Sequence, residues 1–296
     1  MFRVEKDEFH RLVSPEAKLE RLATGFGFTE GPIWHPHDHY LIFSDIARSV
    51  QHRWSEADGC TVFRKPSNQA NGNAFDRRGD IVTCEHASSQ VVRIEHDNKL
   101  IVPIATEYEG KKLNSPNDIV ADSQNRLWFT DPMYGRTRED LGLIREAELE
   151  QRGVYCLHPD GRLVQVANNF EQPNGLCFSS DESQLFINDT PQGHIKVFDV
   201  DISAGELSNE RVWAEISGEG EGMPDGMKIS NHGHLLCNGP GGVHVLNDSG
   251  ELLGVILTPE KSTNFTFGGP EQSDLFITAS TSIYRIPLLL DGPPWF

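Results

Sequence analysis

Residues Arg126-Leu127-Trp128-Phe129-Thr130-Asp131 decide the fold: a polar turn residue, a short apolar run and a polar stop, the pattern of a buried strand bounded by turns. Five other stretches repeat it: Tyr40-Leu41-Ile42-Phe43-Ser44-Asp45, Asp80-Ile81-Val82-Thr83-Cys84-Glu85, Gln184-Leu185-Phe186-Ile187-Asn188-Asp189, His234-Leu235-Leu236-Cys237-Asn238-Gly239 and Asp274-Leu275-Phe276-Ile277-Thr278-Ala279. By subtraction, the anchors Leu41, Ile81, Leu127, Leu185, Leu235 and Leu275 lie 40, 46, 58, 50 and 40 positions apart. A propeller blade of four antiparallel strands typically takes about 40 to 50 residues. The spacing therefore predicts an all-β, six-bladed β-propeller. The one long interval holds Arg138 to Gln151, whose Leu141, Ile144 and Leu149 predict a short helical insertion and a candidate lid.

Each anchor follows a second apolar strand, read as the innermost of its blade. Ten or eleven residues before the anchors stand Glu30, Asn71, Asn117, Asn174, Asp225 and Asn264. Equivalent positions on rotationally related blades form a ring around the central channel, so six carboxylates and carboxamides are expected to converge there. Four of them occupy similar turns: Glu30-Gly31-Pro32, Pro116-Asn117-Asp118, Pro173-Asn174-Gly175 and Pro224-Asp225-Gly226. Hard divalent cations take oxygen ligands, and Glu30, Asn117, Asn174 and Asp225 supply two charges and two amide carbonyls, a set that suits Ca²⁺. Mg²⁺, Mn²⁺ and Zn²⁺ are alternatives, zinc the least favoured because none of the 12 histidines falls on the ring. Asn71, Asn73 and Asn264, with His86, Asp131 and Tyr134 at neighbouring strand ends, are candidate substrate contacts.

Composition narrows the field further. The formal net charge of -18 opposes a nucleic-acid partner. No run approaches the ~18 apolar residues of a membrane span. The charged stretch from Met1 to Leu22 lacks the apolar centre of a signal peptide, so a cytoplasmic protein is expected. Five cysteines without a CxxC point to reduced, packed thiols. The chain reads as one domain over 1–296, with a strand near Leu19 to Ala23 closing the last blade beside Ser282 to Pro287, and Pro293 to Phe296 as a surface cap. No GxSxG, HExxH or P-loop occurs, and Gly218-Glu219-Gly220-Glu221-Gly222 lacks the βαβ context of a dinucleotide loop.

At the ring residues the sequence resembles the gluconolactonase, regucalcin and luciferin-regenerating enzyme family, through Phe28-Thr29-Glu30-Gly31-Pro32, Leu113-Asn114-Ser115-Pro116-Asn117-Asp118, Trp128-Phe129-Thr130-Asp131-Pro132, Gln172-Pro173-Asn174-Gly175-Leu176, Pro224-Asp225-Gly226-Met227 and Thr278 to Arg285. The resemblance covers Ala23 to Ile286 and implies a central metal on Glu30, Asn174 and Asp225, with Asn117 as fourth ligand or substrate contact. Ser115 departs from regucalcin, which has an arginine there, and the chain looks closer to bacterial gluconolactonases. Hydrolysis of a sugar lactone is the expected activity, with Asp225 or a metal-bound water as base and nucleophile and Asn117 in the catalytic set. Rival readings are a phosphotriesterase like diisopropyl fluorophosphatase and a non-catalytic calcium-binding propeller. The oligomeric state is left open.

Overall fold

Burial dictates the strand arrangement. The second strand of each repeat is apolar on both faces, so it has to lie inside a blade with neighbours on either side. In the computed structural model, which describes residues 1–97 and 99–293, this produces a six-bladed β-propeller of antiparallel blades. The innermost strands are Thr29–His35, Ala70–Phe75, Ile119–Ala121, Pro173–Phe178, Met227–Ile229 and Ser262–Gly268, and they touch one another in ring order, the last returning to the first. Each is followed outward by the anchor strand, Tyr40–Asp45, Ile81–Glu85, Leu127–Asp131, Gln184–Asp189, Leu235–Gly239 or Asp274–Ala279.

The core is made between blades rather than within them. Trp128, Val154 and Cys156 of the third blade pack on Leu176, Leu185, Ile187 and Phe198 of the fourth, and similar seams join the other blades. Four of the five cysteines are buried in these seams, while Cys60 is exposed on an outer strand, and all five are free thiols. Among the described residues no helix is long and apolar enough to cross a membrane.

Closure uses the N-terminal stretch twice. Glu20–Thr24 pairs antiparallel with Ser282–Pro287, Arg21 opposite Tyr284 and Thr24 opposite Ser282, giving the sixth blade its outer strand. Nothing in the sequence marks an earlier strand, yet Phe2–Val4 pairs with Leu252–Leu257 as a fifth strand on the fifth blade. A one-turn helix, Phe9–Leu12, then buries Phe9, Leu12 and Val13 against the fifth and sixth blades. Charged residues of the stretch face outward, which is why it reads as polar in sequence. Of the expected cap, Pro293 is described; residues 294–296 lie outside the described residues.

The insertion departs from expectation. Its helix is one turn, Tyr134–Thr137, and residues 138–151 are not helical. The backbone there is drawn into other bonds: Leu141 O faces His86 Nδ1 at 2.8 Å, Glu139 O accepts from Gln69, Glu146 O accepts from Arg136, and Gln151 O accepts from Asn114. Gly142 lies so close that a Cβ would stand 1.9 Å from Gly135 O, an approach a helix would not allow. Leu141 is buried, but Leu143 and Ile144 are exposed.

A closed circuit of hydrogen bonds joins the inner strands. Ser44 Oγ donates to Asn71 O (2.7 Å), Gly72 N to Asn117 O (2.8 Å), Thr130 Oγ1 to Asn174 O (2.8 Å), Asn188 Nδ2 to Asp225 O (2.5 Å), Gly226 N to Thr263 O (2.8 Å) and Thr263 Oγ1 to Thr29 O (2.7 Å). Every blade is thus stitched to the next at the channel mouth. The glycines after the ring residues serve this approach: a Cβ at Gly175 would sit 2.1 Å from Asp225 O, and one at Gly72 2.4 Å from Asn117 O. Gly175→Ala should therefore destabilise the fold by about 2–3 kcal/mol through overpacking, read as a lower midpoint in urea with an unchanged slope. An unaltered midpoint would mean the blades are not held this tightly.

Candidate active site

The ring is assembled by a device in the anchor strands. Their last residues in blades one, three and four are Asp45, Asp131 and Asp189, and each carboxylate accepts backbone N–H groups from the loop leading into its inner strand. Asp45 takes Gly27 N and Phe28 N, Asp131 takes Asn114 N at 2.8 Å together with Ser115 N, and Asp189 takes Glu171 N and Gln172 N at 2.7 and 2.9 Å. The ring residue stands three positions after the first of these amides: Glu30, Asn117 and Asn174. In blade two Glu85 instead holds the side chains of Arg64 and Asn68. A register shift follows in blades one, two and four, between Glu30 and Ile33, Ala70 and Asn73, and Pro173 and Leu176. Such bulges re-aim a side chain out of the regular pleat.

The six ring residues stand at equivalent ends of the inner strands, and Glu30, Asn174, Asp225 and Asn264 act on one another there. Glu30, Asn71, Asn117, Asn174 and Asn264 are buried, and Asp225 is partly exposed. Loss of water pushes the Glu30 carboxyl well above the usual carboxylate range, and the negative charge of Asp225 pushes it further. Burial also raises Asp225, to about 7, against the lowering influence of Lys261. Asn264 lies against both Glu30 and Asp118, and its Oδ1 accepts from Phe265 N at 2.9 Å. Asp118, the one ring neighbour that is neither glycine nor apolar, is buried and likewise raised by desolvation.

Two asparagines are turned by their neighbours. Asn174 Nδ2 donates to Thr190 Oγ1 (3.0 Å), which donates to Pro224 O (2.7 Å). Asn71 Nδ2 meets His86 Nε2 (3.1 Å), while His86 Nδ1 meets Leu141 O (2.8 Å). Burial lowers His86 to about 4, so the ring is neutral, with Nδ1 donating to the carbonyl and Nε2 accepting from Asn71. Each contact uses one N–H of its amide, and Asn174 also lies within hydrogen-bond reach of the Asp225 carboxylate. Thr190 escaped the sequence reading, although it occupies the same repeat position as His86, one residue past the anchor strand.

The other candidates divide. Asn73 spends its carboxamide within the protein, donating to Gly31 O, Ser44 Oγ and Asn71 O and accepting from Gln51 and Thr83. Asp131 is wholly buried, raised to about 7 by desolvation, and bonded to the Asn114 loop. Tyr134, by contrast, brings a buried hydroxyl without a hydrogen-bond partner beside Thr190, Asn174 and Asp225. Ser115 bonds Pro132 O and Gly135 N, pinning the start of the insertion.

Among the described residues no three His, Cys, Asp or Glu side chains are placed to share a metal ion. The donor set to be tested is therefore mixed: the carboxylates of Glu30 and Asp225 with the amide oxygens of Asn117 and Asn174. It fits a hard divalent cation, because two carboxylates raised by burial, Glu30 further by Asp225 and Asp225 further by Asp118, lack the positive charge such an ion brings.

Residues 28–281 match the model of the SMP-30/gluconolactonase/LRE-like region. The chain belongs to this family. It is 29% identical to a gluconolactonase of Zymomonas mobilis, over 90% of this chain and 80% of that one. It is 28% identical to the regucalcin of Gallus gallus, over 85% and 83%. A solved gluconolactonase of Xanthomonas campestris superposes with a TM-score of 0.90 at 33% identity, covering 97% and 94% of the two chains. The family residues 28–281 take in the whole ring, from Glu30 to Asn264.

Asp131→Ala should cost about 2–3 kcal/mol of stability by leaving the N–H groups of buried Asn114 and Ser115 unpaired, and Asp189→Ala less, because Glu171 and Gln172 lie nearer the surface. Thermal and urea unfolding would measure it. A raised KM with unchanged stability in Asp131→Ala alone would assign that residue to the substrate instead.

Proposed function

We propose that this protein hydrolyses a sugar lactone such as D-glucono-1,5-lactone to the aldonic acid, with one divalent cation, calcium as the best match, held by Glu30, Asn117, Asn174 and Asp225. The observation that carries the reading is the ring itself: two carboxylates made basic by burial, beside asparagines fixed in place by Thr190 and His86. The gluconolactonases among its relatives support the substrate class, and lactone hydrolysis makes the chain a carboxylic ester hydrolase. Regucalcin supports calcium by its name.

A bound divalent cation supplies Lewis acidity toward the lactone carbonyl. The chain does the rest. Asp225 takes a proton from the attacking water as the new carbon–oxygen bond forms, and returns it to the ring oxygen when the ester bond breaks. Tyr134 is raised above its ordinary range by burial, stays protonated and donates its free hydroxyl hydrogen bond to the substrate. Asn71 and Asn117 present carboxamides to the sugar or its carbonyl. His86, Asn73 and Asp131 act through what they position, His86 by turning Asn71 and the other two by fixing backbone. Asn264 orients Glu30.

Acid release from D-glucono-1,5-lactone by chelator-treated protein should return on adding a divalent cation. Asp225→Asn should lose at least about 100-fold in kcat with the cation present. A panel of aldonolactones with paraoxon as control tests the substrate class; no turnover of any lactone with any metal, or turnover of paraoxon alone, would contradict the reading.

Proton competition yields a further expectation. Glu30 and Asp225 have raised pKa values in the fold, so their contribution to the stability of the cation-free protein is present at acid pH and is lost as pH rises, for Asp225 through about 7. Calcium binds the deprotonated pair. Its affinity should rise roughly tenfold or more from pH 6 to pH 8, and its effect on the melting temperature should grow over the same range. A calcium effect independent of pH would remove these carboxylates from the site.

A further inference from the structure

A second concavity lies away from the ring. It has a volume of about 410 Å³ and opens at the other mouth of the channel, among the far ends of the inner strands and the turns that follow them. Ile33, Phe75, Ile119, Ile229 and Phe267 give it an apolar wall. Its size falls within the range of about 300–1,000 Å³ usual for small-molecule sites.

One cation is set into that wall. Lys228 leaves the inner strand of the fifth blade into the cavity, half-buried, and its Nζ donates to Met227 O at 3.0 Å and Asn264 Oδ1 at 3.4 Å. Among the described residues no direct ion pair holds it, although its charge reaches the buried Asp118 and lowers that carboxyl. At the rim Glu182 is engaged by Arg77 at 3.8 Å and by Ser123 N at 2.8 Å. A half-buried ammonium with two neutral acceptors leaves one donor position for an anion on the cavity side, where its charge is favourable only when paired.

We propose that the far mouth of the channel is a second binding site, for a small monocarboxylate with an unbranched apolar tail, its carboxylate on Lys228 and its chain along Ile33, Phe75, Ile119, Ile229 and Phe267. The site lies on the far side of the ring, which it touches through Lys228 and Asn264, and it takes a ligand other than the lactone. The apolar wall rejects a strongly hydroxylated acid, whose hydroxyls would go unpaired there. The ammonium rejects a neutral chain by comparison.

Octanoate is the probe, titrated by calorimetry into the full, calcium-loaded chain. With about ten heavy atoms at an ordinary binding efficiency, it should bind one site with a Kd of about 0.1–1 mM. Acetate, lacking the tail, should bind at least about tenfold more weakly. Lys228→Met, which keeps the stem and removes the charge, should weaken octanoate at least about tenfold. Ala121→Phe, within the lining, and Ser180→Trp, at the exposed rim where folding is not at risk, should do the same by occupying the cavity. Absence of octanoate binding at about ten times the expected Kd, insensitivity to Lys228→Met or to Ser180→Trp, or displacement by D-gluconate, which would place the anion at the ring, overturns the proposal.

Discussion

The circuit of six blade-to-blade hydrogen bonds at the channel mouth is the constraint on which the rest depends. Each stitch takes the backbone of one ring segment and ties it to the next blade, from Ser44 and Asn71 round to Thr263 and Thr29. The ring-residue carbonyls of Asn71, Asn117, Asn174 and Asp225 are thereby spent sideways, between blades. What remains for the channel is the side chains. Glycine follows the ring residue in four blades because the neighbouring blade comes too close for a Cβ, and the bulges at Gly31, Gly72 and Gly175 turn the preceding side chain inward. Rigid closure and an inward-facing polar ring are one piece of construction.

That construction carries an electrostatic cost which the site turns to use. Glu30, Asp118 and Asp225 share a poorly hydrated volume, and all three have raised pKa values for that reason. A fold held only by apolar seams would shed such groups. Here Asn264 touches two of them, Lys228 and Lys261 act on them from below and above, and two ring asparagines are fixed in place by His86 and Thr190. The outcome is a concentration of oxygen donors and basic carboxylates at one end of the channel, and an apolar cavity with a single lysine at the other.

Much of this was legible because a propeller repeats its chemistry. The anchors Leu41 to Leu275 located the blades, and counting back from them located every ring residue. The roles of their neighbours were harder to read, since Asn71 and Asn73 look alike in sequence while a bulge between them sends one to the channel and the other to the seam. Asp131 was readable in principle: it repeats Asp45 and Asp189, and three carboxylates at one repeat position signal a shared structural task. Thr190 was readable from His86 in the same way. Two features had no repeat to lean on. Phe2–Val4 joins a blade more than two hundred residues away through backbone bonds that any alternating segment can make. The insertion after Asp131 has helical spacing, yet its carbonyls are claimed one by one by His86, Gln69, Arg136 and Asn114, and tertiary bonds outweigh weak intrinsic preference.

The most direct test of the central claim is a calorimetric titration of Ca²⁺ into chelator-treated protein at pH 8, run in parallel on Glu30→Gln and on Asn73→Asp, one residue from the ring and one from the seam. The account predicts one ion per chain, binding weakened by at least about 100-fold in Glu30→Gln and no second ion gained in Asn73→Asp. Unchanged binding in Glu30→Gln, or no calcium binding by the parent protein, would contradict the ring as the place where this propeller holds a cation.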